Sequence, residues 1–498
     1  MPGGLVQLVA KGPMDAALIG EPEITFFAAL YRPHINFAIE AIEQTFTGCV
    51  NFGKRVVFGL SRSGDILHKT LLEVTLPEIN MSEGCKFAWI ENIGNALIKR
   101  THIEIGGNII DIQYGTFYNV WNELTMPAEK EHGYNDMIGQ QNMKFETDMT
   151  GKVHNYFDGL QTFRRCHPET KLCIPLRFWF CENAGLALPV IAIENYIRFF
   201  FEFEELDNLC KIIGRNATFM KIPRYNQCYR PQIRQASVFC DFIYLDNAER
   251  KNFAKSPHEY LITQLQKQSD ICTQKDCKIK LNFKGAVKEL IWTIQEEKDK
   301  ICYKTGPEKT VVINGNEFNV SLNADCADKY VQQNIANAFY DCGLPMEIGC
   351  EIGKYCNQKT NPVVIDNFTT LNTLRSNDSI LESACLKHTT SHTGGNCHSP
   401  VKHHERFTKR EGKYFNKVQP YYHHTRVPKS KNIFVYSFAL NPEEHQPSGY
   451  CNFDGIDESI LDLTLPNASE NNPMIVTIYG IRYNFLRVCG GMCGLANI

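Results

Sequence analysis

The chain has 498 residues, 43% of them hydrophobic and 21% charged, enough to bury two or three domain cores and too apolar for global disorder. Its formal net charge of −3, with no long basic run, supplies no electrostatic drive toward nucleic acid or an anionic membrane surface. No direct nucleic-acid partner is expected.

Met1-Pro2-Gly3-Gly4 lacks the basic and apolar stretches of a secretory signal, and Pro2 stands where N-myristoylation needs glycine. Residues 1–24 are Gly-rich at their start and are expected to form an arm without a core of its own. A first strand-rich block is expected over 25–213. Within it, His102–Asp111 reads as two short strands closed by Gly106-Gly107, since glycine tolerates the positive φ of hairpin turns. Phe117, Val120, Trp121 and Leu124 fall on one helical face, with Pro127 as a stop. Ile174, Leu176, Phe178 and Phe180 alternate as a strand. The most apolar run, 184–203, is interrupted by Pro189, Glu194, Asn195 and Arg198, which argues against a membrane span.

A polar stretch, 214–235, reads as a linker to a second block over 236–498. A helix is expected to open at Asp246, with Glu249 completing a capping box, to break at Ser256-Pro257 and to resume at His258–Leu261. Residues 296–430 show few alternations and many Cys, His, Asn and Thr, and are expected to be a long surface insertion. Two one-sided strands follow, one carrying Leu461, Leu463 and Leu465, the other Thr477, Tyr479, Ile481, Tyr483 and Phe485. The chain thus reads as all-β, each block the size of an eight-stranded sandwich, with short inserted helices.

Catalytic patterns are sparse. There is no phosphate-binding loop, no dinucleotide fingerprint and no Gly-x-Ser-x-Gly elbow, and Ile262 stands where a His258-Glu259 zincin motif needs its second histidine. Neither His403-His404 nor His423-His424 can aim both rings inward from a strand. Cys385, His388, His392, Cys397 and His398 lie close enough in sequence for a structural zinc, with Cys342, Cys350 and Cys356 nearby, but the spacing fits no strong signature, so an ordinary polar loop is favoured. No catalytic residue and no cofactor are expected. Most of the 20 cysteines are read as small buried thiols, and the six Asn-X-Ser/Thr sequons as chance matches.

Several stretches resemble the major capsid proteins of nucleocytoplasmic large DNA viruses, on the mimivirus, marseillevirus and chlorella-virus side of that family. They include Gly3–Ala10, Pro22–Phe27, Tyr31-Arg32, Glu40–Phe46, Ser61-Arg62-Ser63-Gly64-Asp65, Ile105-Gly106-Gly107 and Trp121–Thr125. In the second block the similar stretches are Asp241–Asp246, His258–Ile262 and Tyr436–Leu440 running into Pro442–Gly449. The resemblance covers nearly the whole chain except about 296–400. It implies two consecutive eight-stranded jelly-rolls, with a long loop insertion in the second and sheets standing normal to a shell. It also implies a homotrimer of pseudo-sixfold outline tiling an icosahedral capsid over an internal membrane, with minor capsid proteins as further partners. A minor capsid-like paralogue, or a carbohydrate-binding β-sandwich, is the alternative. The insertion is expected on the outer face, and His445–Gly449 as a turn between strands.

Overall fold

The structure is a computed structural model that describes residues 8–9, 19, 21–29, 31–81, 84–140, 143–147, 153–157, 160–161, 163–213, 219–220, 231–296, 308–313, 316–321, 380–389 and 403–496. Its strands alternate inward apolar and outward polar side chains, the period-two pattern that lets two sheets face each other across one core.

In the first sandwich, β1 (Phe37–Thr45), β2 (Arg55–Gly59), β3 (Ile66–Leu76), β4 (Ile98–Ile105) and β5 (Asn108–Gln113) precede two helices. These are α1 (Gly115–Thr125) and α2 (Ala128–Met137). Strands β6 (Thr170–Pro175), β7 (Ile197–Phe203) and β8 (Gln235–Leu245) complete it. The sheets run β1-β8-β3-β6 and β2-β7-β4-β5, all antiparallel. Phe58 stacks on Phe199 at 4.9 Å, and Phe178 meets Phe199 edge-on at 5.5 Å, so aromatic rings fill the space between the sheets.

The second sandwich opens with helix α3 (Asn247–Lys255) and contains β9 (His258–Cys272), β10 (Asp276–Lys280), β11 (Ala286–Glu296), β12 (Ser383–Thr389) and β13 (His403–Glu411). It ends with β14 (Ile433–Ser437), β15 (Glu458–Thr464), β16 (Met474–Cys489) and β17 (Met492–Ala496). Its sheets run β9-β16-β11-β14, with β17 added to β16, and β10-β15-β12-β13. Leu461, Leu463 and Leu465 face inward against Trp292 and Phe434, as their alternation predicts.

Several boundaries differ from the sequence reading. Strand β8 pairs with β1 over Ser237–Leu245 and with β3 from Gln235 to Ile243, so it belongs to the first sandwich, although the linker 214–235 is expected just before a second block. The expected insertion 296–430 is too long: β12 is an interior strand between β15 and β13, with Ala384 and Leu386 in the core. Bulges in that ladder blur its alternation, which hid the strand. Glu308–Ile313 and Asn316–Ser321 pair as two antiparallel strands, and most of 297–379 lies outside the described residues, as does most of 1–20.

Asp246 caps α3 through bonds from the Ala248 and Glu249 amides, but the helix does not resume at His258. All 15 residues of β9 pair with β16, and that ladder overrides the local helical signal. The 174–180 alternation stops as a strand at Pro175, and Trp179–Glu182 turns into a short helix, yet Leu176, Phe178 and Phe180 all stay buried. The row Thr477–Phe485 keeps one apolar face, with Tyr479 and Ile481 turned to α1, while Val476 and Ile478 on the other face of β16 enter the second core and Arg482 and Asn484 follow there as polar residues. A second helix, α2, follows Pro127, where only a stop was expected; proline fits a helix start as well as an end.

Among the described cysteines, Cys272 and Cys277 form a disulfide between β9 and β10. Cys210, Cys240, Cys385 and Cys493 are buried, whereas Cys49, Cys166 and Cys489 are exposed, so burial is less general than expected.

Candidate functional site

The zinc candidates do not assemble among the described residues. Cys385 and His388 are three positions apart on β12, which puts them on opposite faces. The Cys385 thiol donates to the Phe407 carbonyl at 3.3 Å. The His388 ring packs edge-on against Phe453, with Nδ1 2.9 Å from the Ser459 hydroxyl. Burial, reinforced by Arg406, pushes His388 down to about 4, so the ring is neutral. His392, Cys397 and His398 lie outside the described residues, as do Cys342, Cys350 and Cys356. No group of three or more His, Cys, Asp or Glu suited to a metal occurs among the described residues.

What the fold does build is a junction between the sandwiches. Helix α1 lays Phe117, Val120, Trp121 and Leu124 against Leu265, Ile291, Val435 and Tyr479 of the second sandwich. The helical spacing read in the sequence therefore supplies this seam. Burying such side chains stabilises by roughly 1.5–3 kcal/mol each. A ring of polar bonds surrounds it. Glu131 accepts from Arg426 and Lys429, both at 2.7 Å, and Glu123 accepts from the Ser430 amide at 2.9 Å and from its hydroxyl. One cleft of about 30 Å³ at this seam, bordered by Gln113, Arg177, Trp179, Glu182, Gln264 and Lys288, has room for a water or two and none for a metabolite.

The sequence reading missed the strongest electrostatic feature. The His424 side chain is fully buried, its Nε2 3.1 Å from Glu289 and its Nδ1 2.9 Å from Glu443. The Glu289 contact is an ion pair without hydrogen-bond alignment, since both Glu289 oxygens lack an aligned donor. Burial opposes a charged ring, but the two carboxylates outweigh it and push His424 up to about 9. His423 and His424 were read as strand neighbours; instead His423 ends a helix, Gln419–His423, and His424 is its C-cap. The available signal was Glu289 itself, a carboxylate set among Val287, Leu290, Ile291 and Trp292, which are too apolar to hold a charge without a partner.

The distinctive sequence stretches carry structural duties. Arg62 donates to the carbonyls of Val190, Ile193, Glu194 and Asn195. Asp65, nearly fully buried, accepts the Leu245 amide and pairs with Arg250 of α3, both at 2.9 Å. The run Ser61–Asp65 thus locks the first sandwich to the start of the second. In the stretch 442–449, Glu443 reaches His424 and Thr425, and Lys288 Nζ donates to the Pro442 carbonyl at 2.6 Å. Gly449 sits at φ +145, and a Cβ there would lie 2.6 Å from the Phe438 carbonyl oxygen, so glycine is required at this turn.

The second sandwich also clasps the first. Leu486, Val488 and Cys493 from β16 and β17 lie in the first core, with Ile262 from β9. The Glu194 amide donates to the Gly491 carbonyl at 2.7 Å at the hairpin tip. Among the described residues, the exposed apolar side chains include Ile24, Phe26, Phe27, Tyr31, Ile35, Phe37 and Ile39, and Tyr421, Tyr422 and Leu440 near the His424 cluster.

Comparison with known proteins agrees with this architecture. The family model described as major capsid protein N-terminus matches residues 25–246, and the one described as large eukaryotic DNA virus major capsid protein matches 249–494. Their boundary falls just after β8, as the strand pairing does. A major capsid protein of Phaeocystis pouchetii virus is 38% identical over 532 residues, covering 100% of this chain and 99% of that one. That of Paramecium bursaria Chlorella virus 1 is 30% identical over 523 residues, covering 100% and 99%. A quasi-atomic model of the PBCV-1 virus capsid superposes with a TM-score of 0.63 at 26% identity, covering 95% of this chain and 100% of that one. With both halves matched in order and two sandwiches joined by a shared core, the chain belongs to the major capsid protein family of large eukaryotic DNA viruses.

Proposed function

We propose that this chain is a non-enzymatic shell subunit of the virion, three copies of which form a particle of pseudo-sixfold outline that tiles an icosahedral capsid. The observation that carries this reading is the seam just described. Two similar sandwiches held in one fixed relation by Trp121, His424 and the β16–β17 clasp let a threefold assembly present six similar units to its neighbours.

The arm, residues 1–24, is assigned to contacts with minor capsid proteins, and through them with an internal membrane. The insertion within 296–430 is assigned to the outer face, and assembly to the host cytoplasm. Native mass spectrometry tests the central claim: a particle of three chains, unaffected by chelator or reductant, is expected. A stable monomer with a saturable turnover of any substrate overturns it. Removing residues 1–20 is expected to leave folded trimers that fail to form a lattice.

A further inference from the structure

We propose that the apolar ridge formed by Ile24, Phe26, Phe27, Tyr31, Ile35, Phe37 and Ile39 is the contact through which one copy of this chain holds the next within the trimer. This rests on the shell-building reading and names the surface that reading requires.

Three observations converge on the ridge. Phe26, Phe27 and Tyr31 are 87%, 97% and 89% exposed, more than any other large apolar side chain described before residue 40. Ile24, Ile35, Phe37 and Ile39 continue the ridge onto β1, each at least 45% exposed. Aromatics of this kind cover about 150–250 Å² each, so the ridge offers roughly 900 Å². That is close to the ~800 Å² per partner of a specific protein interface, and above the ~300–600 Å² patch an ordinary soluble monomer exposes.

Strand β1 is also the end strand of its sheet. It pairs with β8 on one side and has no ladder partner on the other among the described residues. Such an edge is a row of unsatisfied amides and carbonyls, which another strand can satisfy and a lipid surface cannot.

Charge argues the same way. Glu21, Glu23, Glu40 and Glu43 flank the ridge against Arg32 as the single arginine or lysine between residues 21 and 43, a balance that repels anionic lipid. A second copy is the occupant that meets all three conditions, offering apolar area, backbone partners and no dense negative surface. Because the ridge is too large to stay open on a soluble building block, it is covered inside the trimer and not first at the lattice stage.

The test uses the full chain carrying Phe26→Asp and Phe27→Asp together, and separately Ile39→Lys. Both changes fall on exposed side chains, so circular dichroism and melting temperature are expected to stay at wild-type values. By sedimentation equilibrium the wild type is expected to be trimeric at micromolar concentration, and each variant to dissociate at concentrations at least 100-fold higher. A wild-type trimer whose stability both variants leave unchanged overturns the ridge and spares the shell reading. A monomeric wild type overturns the shell reading and this inference with it. Flotation of the wild type with phosphatidylcholine–phosphatidylserine vesicles, lost in the variants while the trimer persists, assigns the ridge to a membrane and also overturns it.

Discussion

His424 Nε2 lies 3.1 Å from a carboxylate oxygen of Glu289, and neither side chain reaches solvent. The pair sits beside Trp121, whose ring meets the imidazole edge-on at 6.1 Å, so it joins the end of a helix in the second sandwich to the seam formed by α1. Removing one partner of a buried pair leaves the other charge without compensation. Glu289→Ala is therefore expected to cost about 3–5 kcal/mol, measured by urea unfolding. A loss under about 1 kcal/mol would mean that the pair behaves as a solvated surface bridge.

The same pair sets an alkaline limit. The folded pKa of His424, about 9, lies above its ordinary value of 6.5. Its contribution is complete below about 6.5 and is lost as pH rises through about 9. Melting temperature is expected to fall between pH 7 and 10, and His424→Gln is expected to flatten that slope. An unchanged slope in the variant would assign it to other groups.

Asp111 predicts the opposite window. Burial, against bonds from Gln113 and the Ile112 backbone, raises its carboxyl to about 7. The folded state therefore holds a proton that the unfolded chain releases near pH 4, so stability falls as pH rises from 4 to 7 and then levels. Asp111→Asn is expected to remove that decline and to stabilise the protein at pH 8 by roughly 1–3 kcal/mol. A destabilised variant at pH 8 would show that the ionised carboxylate is instead well accommodated.

Gly115 opens α1 against backbone. A Cβ there would lie 1.9 Å from the Asn95 carbonyl oxygen and 2.4 Å from that of Ile98, neither of which can rotate away. Gly115→Ala is expected to displace α1 and to cost about 1–3 kcal/mol, with faster proteolysis between residues 113 and 128. A variant with wild-type melting and digestion would place the helix differently.

The clasp of β16 and β17 on the first core makes the sandwiches unfold together. Truncation after Cys489 removes Cys493 and Leu495, which pack against that core. Calorimetry of the full chain is expected to give one transition, and of the truncated chain a first transition at least 5 °C lower, since about 1 kcal/mol shifts a domain of this size by roughly 2–4 °C. Two separate transitions in the full chain would contradict the coupling.

Local pattern sufficed for most of the fold. Alternation in Leu461–Leu465 and the Gly106-Gly107 turn gave strands, and the 117–124 spacing gave a helix, because each is set by the geometry of a few neighbouring residues. The Asp246 cap was legible for the same reason. What sequence could not decide were the relations between distant residues. Nothing local says that β8 closes the first sandwich, that β12 is an interior strand, or that His258 begins a strand paired over 15 residues. Nor does any local rule bring His424 to Glu289, 135 positions earlier, in a site where water is excluded and charge must find charge. Side-chain period and turn chemistry are properties of the chain itself. Partner, burial and pKa are properties of the space the folded chain encloses, and only the tertiary structure fixes that space.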